Sequence, residues 1–388
     1  MERVVIVGAG LAGHRSAEAL RRHGFNGRLT LVGDEAHRPY DRPPLSKQML
    51  AGTMTARDCE FDSAGLDVTW ALGRPAVGLD TAARVVHLHD GAALPYDGLV
   101  IATGRRARTW PGLPRLAGFH TVRRIEDAIA LRRAVRTDSR VVIVGAGFIG
   151  CEVAATLRGL GVGDVAVVDI APHPMPVLGP EVGERALRLH EAQGVRFRLG
   201  TSVAMFEGDT AVEAVLLEDG ERLAADLVLL ALGSVPNSEW LAGSGLELHN
   251  GAVLCDEYCF AAGSDDIVAV GDIAAHPYAE ADGPLCVEHW ATARDMADTA
   301  AANLLAEPDS RRLYRAVPTF WSDQYDVKIK SAGLLALADS FVVVDENAER
   351  RALVVEAQRD GALVGAIVFN RNRTIIQYQR TLAAGLPV

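Results

Sequence analysis

Glycines at 8, 10 and 13, and again at 145, 147 and 150, are the residues of this chain whose spacing most clearly suits a chemical task. Each triplet follows a β-branched run and opens a helix-like segment, in "VVIVGAGLAG" and "VVIVGAGFIG". The first glycine of such a triplet permits a tight turn. The second lets backbone amides approach a pyrophosphate, and the third lets the helix pack on the strand. An acid follows each triplet, Asp34 and Asp169, about twenty residues past its last glycine, where a carboxylate can accept hydrogen bonds from an adenosine ribose. One GxGxxG is a weak pattern, but two copies with strand, helix and acid in place predict two dinucleotide sites. At the second site Asp169 would repel the extra 2′-phosphate of NADP, so NAD is expected; His173 nearby is too weak a cation to reverse this.

The elements that must position these loops repeat as well. "YDGLVIATG" and "ADLVLLALG" each run an apolar strand into a glycine turn, at Gly104 and Gly233, at similar distances from the two triplets. "SDDIVAVGDIA", residues 264–274, then returns the chain to the first unit. The expected fold is therefore α/β, with two Rossmann-like dinucleotide-binding domains of glutathione-reductase-like organisation. Residues 1–108 and 241–314 form the first, interrupted by the second at 109–240. A C-terminal α+β domain spans 315–388, where runs such as "ALVVEAQ" and "ALVGAIVFN" predict an antiparallel sheet with a helix near the end.

Composition narrows the function further. The 388 residues carry a net charge of −11 and no basic arm, which argues against nucleic-acid binding. No apolar run is long enough to span a membrane, and no signal segment precedes the first strand, so a cytoplasmic location is expected. The cysteines at 59, 151, 255, 259 and 286 include no CxxC pair and read as small buried hydrophobes; a strand through Cys255 and Cys259 would place them on one face. No metal site is expected. Glu152, two residues past Gly150, is expected to project from a helix start into the cleft between the nucleotide units.

Over nearly its whole length the chain resembles the FAD-dependent NAD(P)H:ferredoxin reductases of the putidaredoxin reductase and rhodocoxin reductase type. The resemblance rests on "GAGLAG", "GDEAHRPYDRPPLSK", "LVIATG", "GAGFIGCEVA", "DIVAVGDIA", "EHWATA" and "FWSDQYD", in that order. It implies that FAD binds along Gly8, Gly10, Leu11, Ala12 and Gly13, with Asp34 and Glu35, and that Arg42 and Pro43 contact its phosphate or adenosine portion. Ala102, Thr103, Gly104 and Arg123 are further implied FAD contacts, with backbone near Ala76 and Val77 at the adenine. Gly271 and Asp272 are implied at the ribityl chain, and His289, Trp290 and Trp321 along the flavin. NADH is implied at Gly145, Gly147, Phe148, Ile149, Gly150, Asp169 and Gly233. Lys47 and Glu152 are implied as a catalytic pair at the flavin–nicotinamide junction, an ammonium near the N5/O4 edge being able to stabilise negative charge on reduced flavin.

In the disulfide reductases a flavin passes electrons to cysteines; in the resembled family a separate [2Fe–2S] or related small ferredoxin takes them one at a time and serves a cytochrome P450 or Rieske-type oxygenase. An acidic ferredoxin would have to dock on a local basic patch near the C-terminal domain, and Lys328, Lys330, Arg371 and Arg373 are candidates, with Arg294, Arg311 and Arg312 as outsiders. Two positions depart from the family pattern, Thr319 where tryptophan is usual and Lys330 where glutamine is usual. Two other readings stay open: an NADH-dependent flavin reductase or oxidase of a small molecule, and a redox-sensing flavoprotein.

Overall fold

The structure is a computed structural model and describes residues 1–385. Arg3–Val7 forms the middle strand of a five-stranded parallel sheet ordered Ile267–Ala269, Gly98–Ile101, Arg3–Val7, Arg28–Val32, Thr69–Ala71. Its residues Val4, Val5, Ile6 and Val7 are buried. Such unbroken apolar runs are what a parallel sheet covered on both faces demands. The second unit repeats the plan: Arg196–Leu199, Asp164–Asp169, Arg140–Val144, Leu227–Leu230, Phe119–His120, again all parallel. Each unit also carries a three-stranded antiparallel piece before its return strand, formed by Ala76–Asp80, Val85–Leu88 and Ala93–Pro95 in one and Val203–Glu207, Ala214–Leu217 and Arg222–Ala224 in the other.

The two sheets differ in where the outermost strand comes from. In the first sheet it arrives late, as Ile267–Ala269; in the second it arrives early, as Phe119–His120. An inserted unit leaves this signature. The outgoing and returning segments run side by side, Arg105–Ala107 pairing antiparallel with Ser234–Pro236.

The tail folds into a five-stranded antiparallel sheet ordered Thr319–Gln324, Val327–Gly333, Ala362–Phe369, Ala352–Arg359, Ser340–Asn347, followed by the helix Asn372–Gly385. Alternation along the strands divides its two faces. Val354, Ala366 and Val368 face the closing helix through Ile375, Tyr378 and Leu382. Leu353, Val355, Ile367 and Phe369 turn the other way, onto Cys151, Met175, Leu178 and Val182 of the second nucleotide unit. One tertiary consequence is that the tail is anchored to the second unit's helices by an apolar layer.

The cysteines are all free, with Cys59, Cys151, Cys255 and Cys259 buried and Cys286 half-buried. No strand runs through Cys255 and Cys259. The chain bends back at Cys259, whose φ is +73°, so Cys255 instead bridges Ala261.

The glycines of the second triplet allow a stability test. A Cβ on Gly150 would lie 2.0 Å from the Gly145 carbonyl oxygen, whereas a Cβ on Gly159, at the exposed end of the same helix, meets nothing within 4 Å. Gly150→Ala is expected to lower the thermal midpoint, by an overpacking cost of about 1–3 kcal/mol. Gly159→Ala should raise it, by about 0.5–1 kcal/mol of helix propensity. Thermal melts followed by circular dichroism check both.

Candidate functional site

The two glycine triplets fold into the same steric pattern. A Cβ on Gly8, whose φ is +121°, would lie 2.0 Å from the Ala102 carbonyl oxygen, and one on Gly13 would lie 1.8 Å from that of Gly8. Around Gly10 the space is open, with only the Arg42 guanidinium at 4.0 Å. Gly145 and Gly150 are closed in the same way, by Ala231 and Gly145, and Gly147 again faces open space. In each triplet, then, the outer glycines let the loop close on its neighbours and the middle one leaves a cradle.

The helices that start at these cradles, Leu11–Arg22 and Phe148–Gly159, carry no side-chain cap, and neither does Trp290–Leu305 behind His289. The first amides of a helix have no partner within it, so uncapped starts attract an anionic or carbonyl-rich ligand. All three starts meet at one cleft enclosing about 1540 Å³ of space, part of it open to solvent. A cleft that runs past three uncapped helix starts suits an extended dinucleotide.

Most of the residues proposed from sequence line this cleft. Gly8, Gly10, Leu11, Ala12, Asp34, Glu35, Arg42, Pro43, Lys47, Ala102, Thr103, Gly104, Asp272, His289, Trp290 and Trp321 come from the first unit and the tail; Arg123, Phe148, Ile149 and Glu152 come from the second. Gly13, Gly145, Gly150 and Gly271 lie behind the wall. Gly271 sits between Ala12 and Ala293, where an added Cβ would lie 3.0 Å from Ala12, and so brings two helix starts together. Ala76, Val77, Gly147, Asp169 and Gly233 are also outside the lining. Val77 projects outward from a side strand and is 57% exposed.

Inside the cleft the polar groups hold one another in place. Arg42 donates to Glu35 at 2.6 Å, to the Tyr40 hydroxyl at 2.8 Å and to the Arg123 carbonyl at 2.6 Å. Arg123 in turn reaches Asp272 at 3.0 Å. Asp34 is paired with Arg124, while Asp169 accepts the Ala146 and Ala171 amides at 2.6 and 2.8 Å, so two acids in matching sequence positions have different surroundings. The Thr103 hydroxyl donates to the Asn237 carbonyl and the Asn237 amide donates back, at 2.8 and 2.9 Å, which ties together the turns of the two units. The Trp290 indole donates to Asp41 at 2.8 Å and packs edge-on against Trp321. Burial pushes the His289 imidazole down to about 4, so it is neutral, and its Nδ1 is buried without a partner at the cleft wall.

Lys47 and Glu152 meet at 2.5 Å, and each is mostly buried. Lys47 is presented by the 3₁₀ turn Pro43–Ser46, whose prolines preset its backbone, and Glu152 by the first turns of Phe148–Gly159. Glu152 also accepts the hydroxyls of Ser46 and Ser322, each at 2.6 Å. Phe148 packs on Phe320 beside them. No cysteine lines the cleft.

Sequence reasoning passed over Ser46, Asn237, Glu288 and Phe320, which line the cleft, and Ser322, which reaches it through Glu152. Ser46, Glu288, Phe320 and Ser322 stand inside segments already singled out, "GDEAHRPYDRPPLSK", "EHWATA" and "FWSDQYD", and Asn237 follows the Gly233 turn. The available signal was that a buried lysine–carboxylate pair needs further hydrogen-bond partners.

Of the candidate docking cations, Arg371 pairs with Asp345, Arg294 with Asp295 and Arg311 with Asp265. Lys328, Lys330, Arg312 and Arg373 make no ion pair among the described residues. Lys330 stands directly across from Trp321 in the antiparallel ladder, and Lys328 across from Asp323. Alternation puts both lysines on the Trp321 face, next to the cleft.

Known proteins give this geometry a family. Residues 2–297 match the pyridine nucleotide-disulphide oxidoreductase family and residues 319–388 match the reductase C-terminal family. The rhodocoxin reductase of Rhodococcus erythropolis is 39% identical over 350 residues, covering 88% of this chain and 80% of that protein. The ferredoxin–NAD(+) reductase component of the anthranilate 1,2-dioxygenase system of Burkholderia cepacia is 37% identical over 388 residues, covering 98% and 94%. Among solved structures, putidaredoxin reductase in its covalent complex with putidaredoxin superposes with a TM-score of 0.92 at 35% identity, over 100% of this chain and 94% of that one. With its doubled glycine cradle, its single shared cleft and its tail sheet, the chain belongs to the pyridine nucleotide-disulphide oxidoreductase family, in the group that carries the reductase C-terminal domain.

Proposed function

We propose that this protein is an NADH:ferredoxin oxidoreductase, a cytoplasmic FAD flavoprotein that passes electrons one at a time to a [2Fe–2S] or related small ferredoxin serving a cytochrome P450 or Rieske-type oxygenase. The observation that carries this reading is the Lys47–Glu152 contact. It joins the first nucleotide unit to the helix start of the second, in a cleft wall without cysteine. The names and structures of the relatives support the same reading.

FAD fits the first cradle. Gly10 and the uncapped start of Leu11–Arg22 would hold its pyrophosphate, with Arg42 alongside, and Asp272, His289 and the start of Trp290–Leu305 would hold the ribityl and ring end. NADH fits the second, at Gly147, Phe148, Ile149 and Asp169. When bound, the flavin supplies the means to take a two-electron hydride and release single electrons. The protein's own share is positioning. Glu152 holds Lys47 against the flavin site, and the Lys47 charge offsets negative charge that develops there. Phe148 and Phe320 pack together as an apolar pair on the same wall. The chain would divide into 1–108 with 241–314 for FAD, 109–240 for NADH and 315–388 for the tail that covers the flavin site. Lys328 and Lys330, without acid partners and beside Trp321, are the preferred docking cations.

Anaerobic stopped-flow mixing of the FAD-loaded protein with NADH, then with a [2Fe–2S] ferredoxin, tests the whole reading. Fast bleaching by NADH, slow bleaching by NADPH and prompt reoxidation by ferredoxin are expected. Bleaching without reoxidation by ferredoxin would instead favour reduction of a small molecule or redox sensing. Lys47→Met should lower the bleaching rate by about 100–1,000-fold, the usual loss for one electrostatic group at a developing charge, with protein-bound FAD retained. Replacing Lys328 and Lys330 together by alanine should weaken ferredoxin reduction and flatten its salt dependence while NADH–ferricyanide turnover stays unchanged; unaltered ferredoxin kinetics would clear both lysines.

A further inference from the structure

Glu152 is 4% exposed, and its two oxygens are served from different parts of the molecule. Oε2 takes Lys47 and the Ser46 hydroxyl from the first unit; Oε1 takes the Ser322 hydroxyl from the tail. The Ser322 oxygen in turn accepts the Gln324 side-chain amide at 3.1 Å. That amide's carbonyl faces His190 Nε2 at 2.9 Å, and His190 Nδ1 faces the Tyr325 hydroxyl at 3.1 Å. Ser322, Gln324 and His190 are fully buried, and none of them has a place in the proposed reaction so far.

The chain of bonds has only one consistent direction. An ionised carboxylate accepts and never donates, so Ser322 must donate to it and its oxygen is left to receive Gln324. The Gln324 amide is thereby turned with its carbonyl toward His190, which must donate from Nε2. The other ring nitrogen is then bare and receives the Tyr325 hydroxyl, so the neutral Nε2–H tautomer completes the chain. Burial, which pushes His190 down to about 4, agrees with a neutral ring. A side-chain amide in the middle has no proton to pass on readily, so the chain serves to orient groups and is unsuited to conducting protons.

The chain also crosses the boundary between the second unit and the tail three times. Ser322 and Gln324 lie on the inward face of Thr319–Gln324, and His190 lies in the helix Pro180–Glu191 of the second unit. Tyr325, with φ +55°, makes the hairpin turn that brings its own hydroxyl back over His190.

We propose that Ser322, Gln324 and His190 are positioning residues for the reaction, a hydrogen-bonded strut from the tail that fixes the Glu152 carboxylate and, through it, the Lys47 ammonium. This rests on the reading of Lys47 and Glu152 as the pair at the flavin. Without the Ser322 hydroxyl, Oε1 becomes a buried charged oxygen with no donor, and the carboxylate turns or reaches for another partner. Lys47 then loses its fixed place. The NADH cradle at Gly147 and Asp169 is untouched by such a change.

The test is stopped-flow reduction of the FAD-loaded protein by NADH, with the limiting rate separated from the NADH dissociation constant. Ser322→Ala should lower the limiting rate by about tenfold, the loss expected for one hydrogen bond to a buried charge, and Gln324→Met by about threefold, the loss of one neutral hydrogen bond behind it, with the dissociation constant changed by less than about twofold in each. Ser322→Thr, which keeps the hydroxyl, should recover most of the rate. In a Glu152→Gln background Ser322→Ala should cost less than about twofold, because the group it positions has lost its charge. A full rate in both Ser322→Ala and Gln324→Met, or an equal loss from Ser322→Ala in both backgrounds, would overturn the strut. Failure of the unsubstituted protein to bleach with NADH would instead overturn the functional reading on which it stands.

Discussion

A carboxylate taken out of water must be surrounded by donors, and Glu152 is the point where this structure meets that requirement from three directions. Lys47 and Ser46 come from the first nucleotide unit, the carboxylate from the second, and Ser322 from the tail. Removing one partner from such a site leaves an uncompensated charge, so the three parts of the chain are held to one relative arrangement by more than apolar contact. The apolar layer of Leu353, Val355 and Ile367 against Met175 and Val182 supplies the area; the polar joint supplies the register.

That joint also explains how a repeated architecture comes to have one working site. Two near-copies of a nucleotide unit would by themselves make two separate cradles. Here the Arg105–Ala107 and Ser234–Pro236 ladder and the Thr103–Asn237 exchange set the two copies against each other at their turns. The helix starts beside both glycine triplets then meet at one cleft, where Phe148, Ile149 and Glu152 of one face Lys47, Trp290 and Trp321 of the rest. No cysteine among the described residues lines that wall.

Local sequence determined much of this. β-branched runs before glycine triplets, and apolar alternation in the tail, dictate parallel and antiparallel sheets through burial and pleat alone, and the doubled pattern made two similar sheets legible. The role of Gly13 was equally local, because its Cβ would collide with Gly8 of the same loop, whereas that of Gly8 depends on Ala102 of a distant strand. What sequence could not decide were contacts between residues far apart in the chain whose only link is three-dimensional. Asp34 and Asp169 occupy matching positions, yet Arg124 approaches one and backbone amides the other. Cys255 and Cys259 read as one strand face until a left-handed residue turned the chain between them. Ser322 lies 170 positions from Glu152, and Gln324 lies 134 from His190. Periodicity and motif spacing report on neighbours along a strand or helix. A buried charge draws its donors from whichever elements the packing of separate units brings within reach, so only the tertiary structure decides which they are.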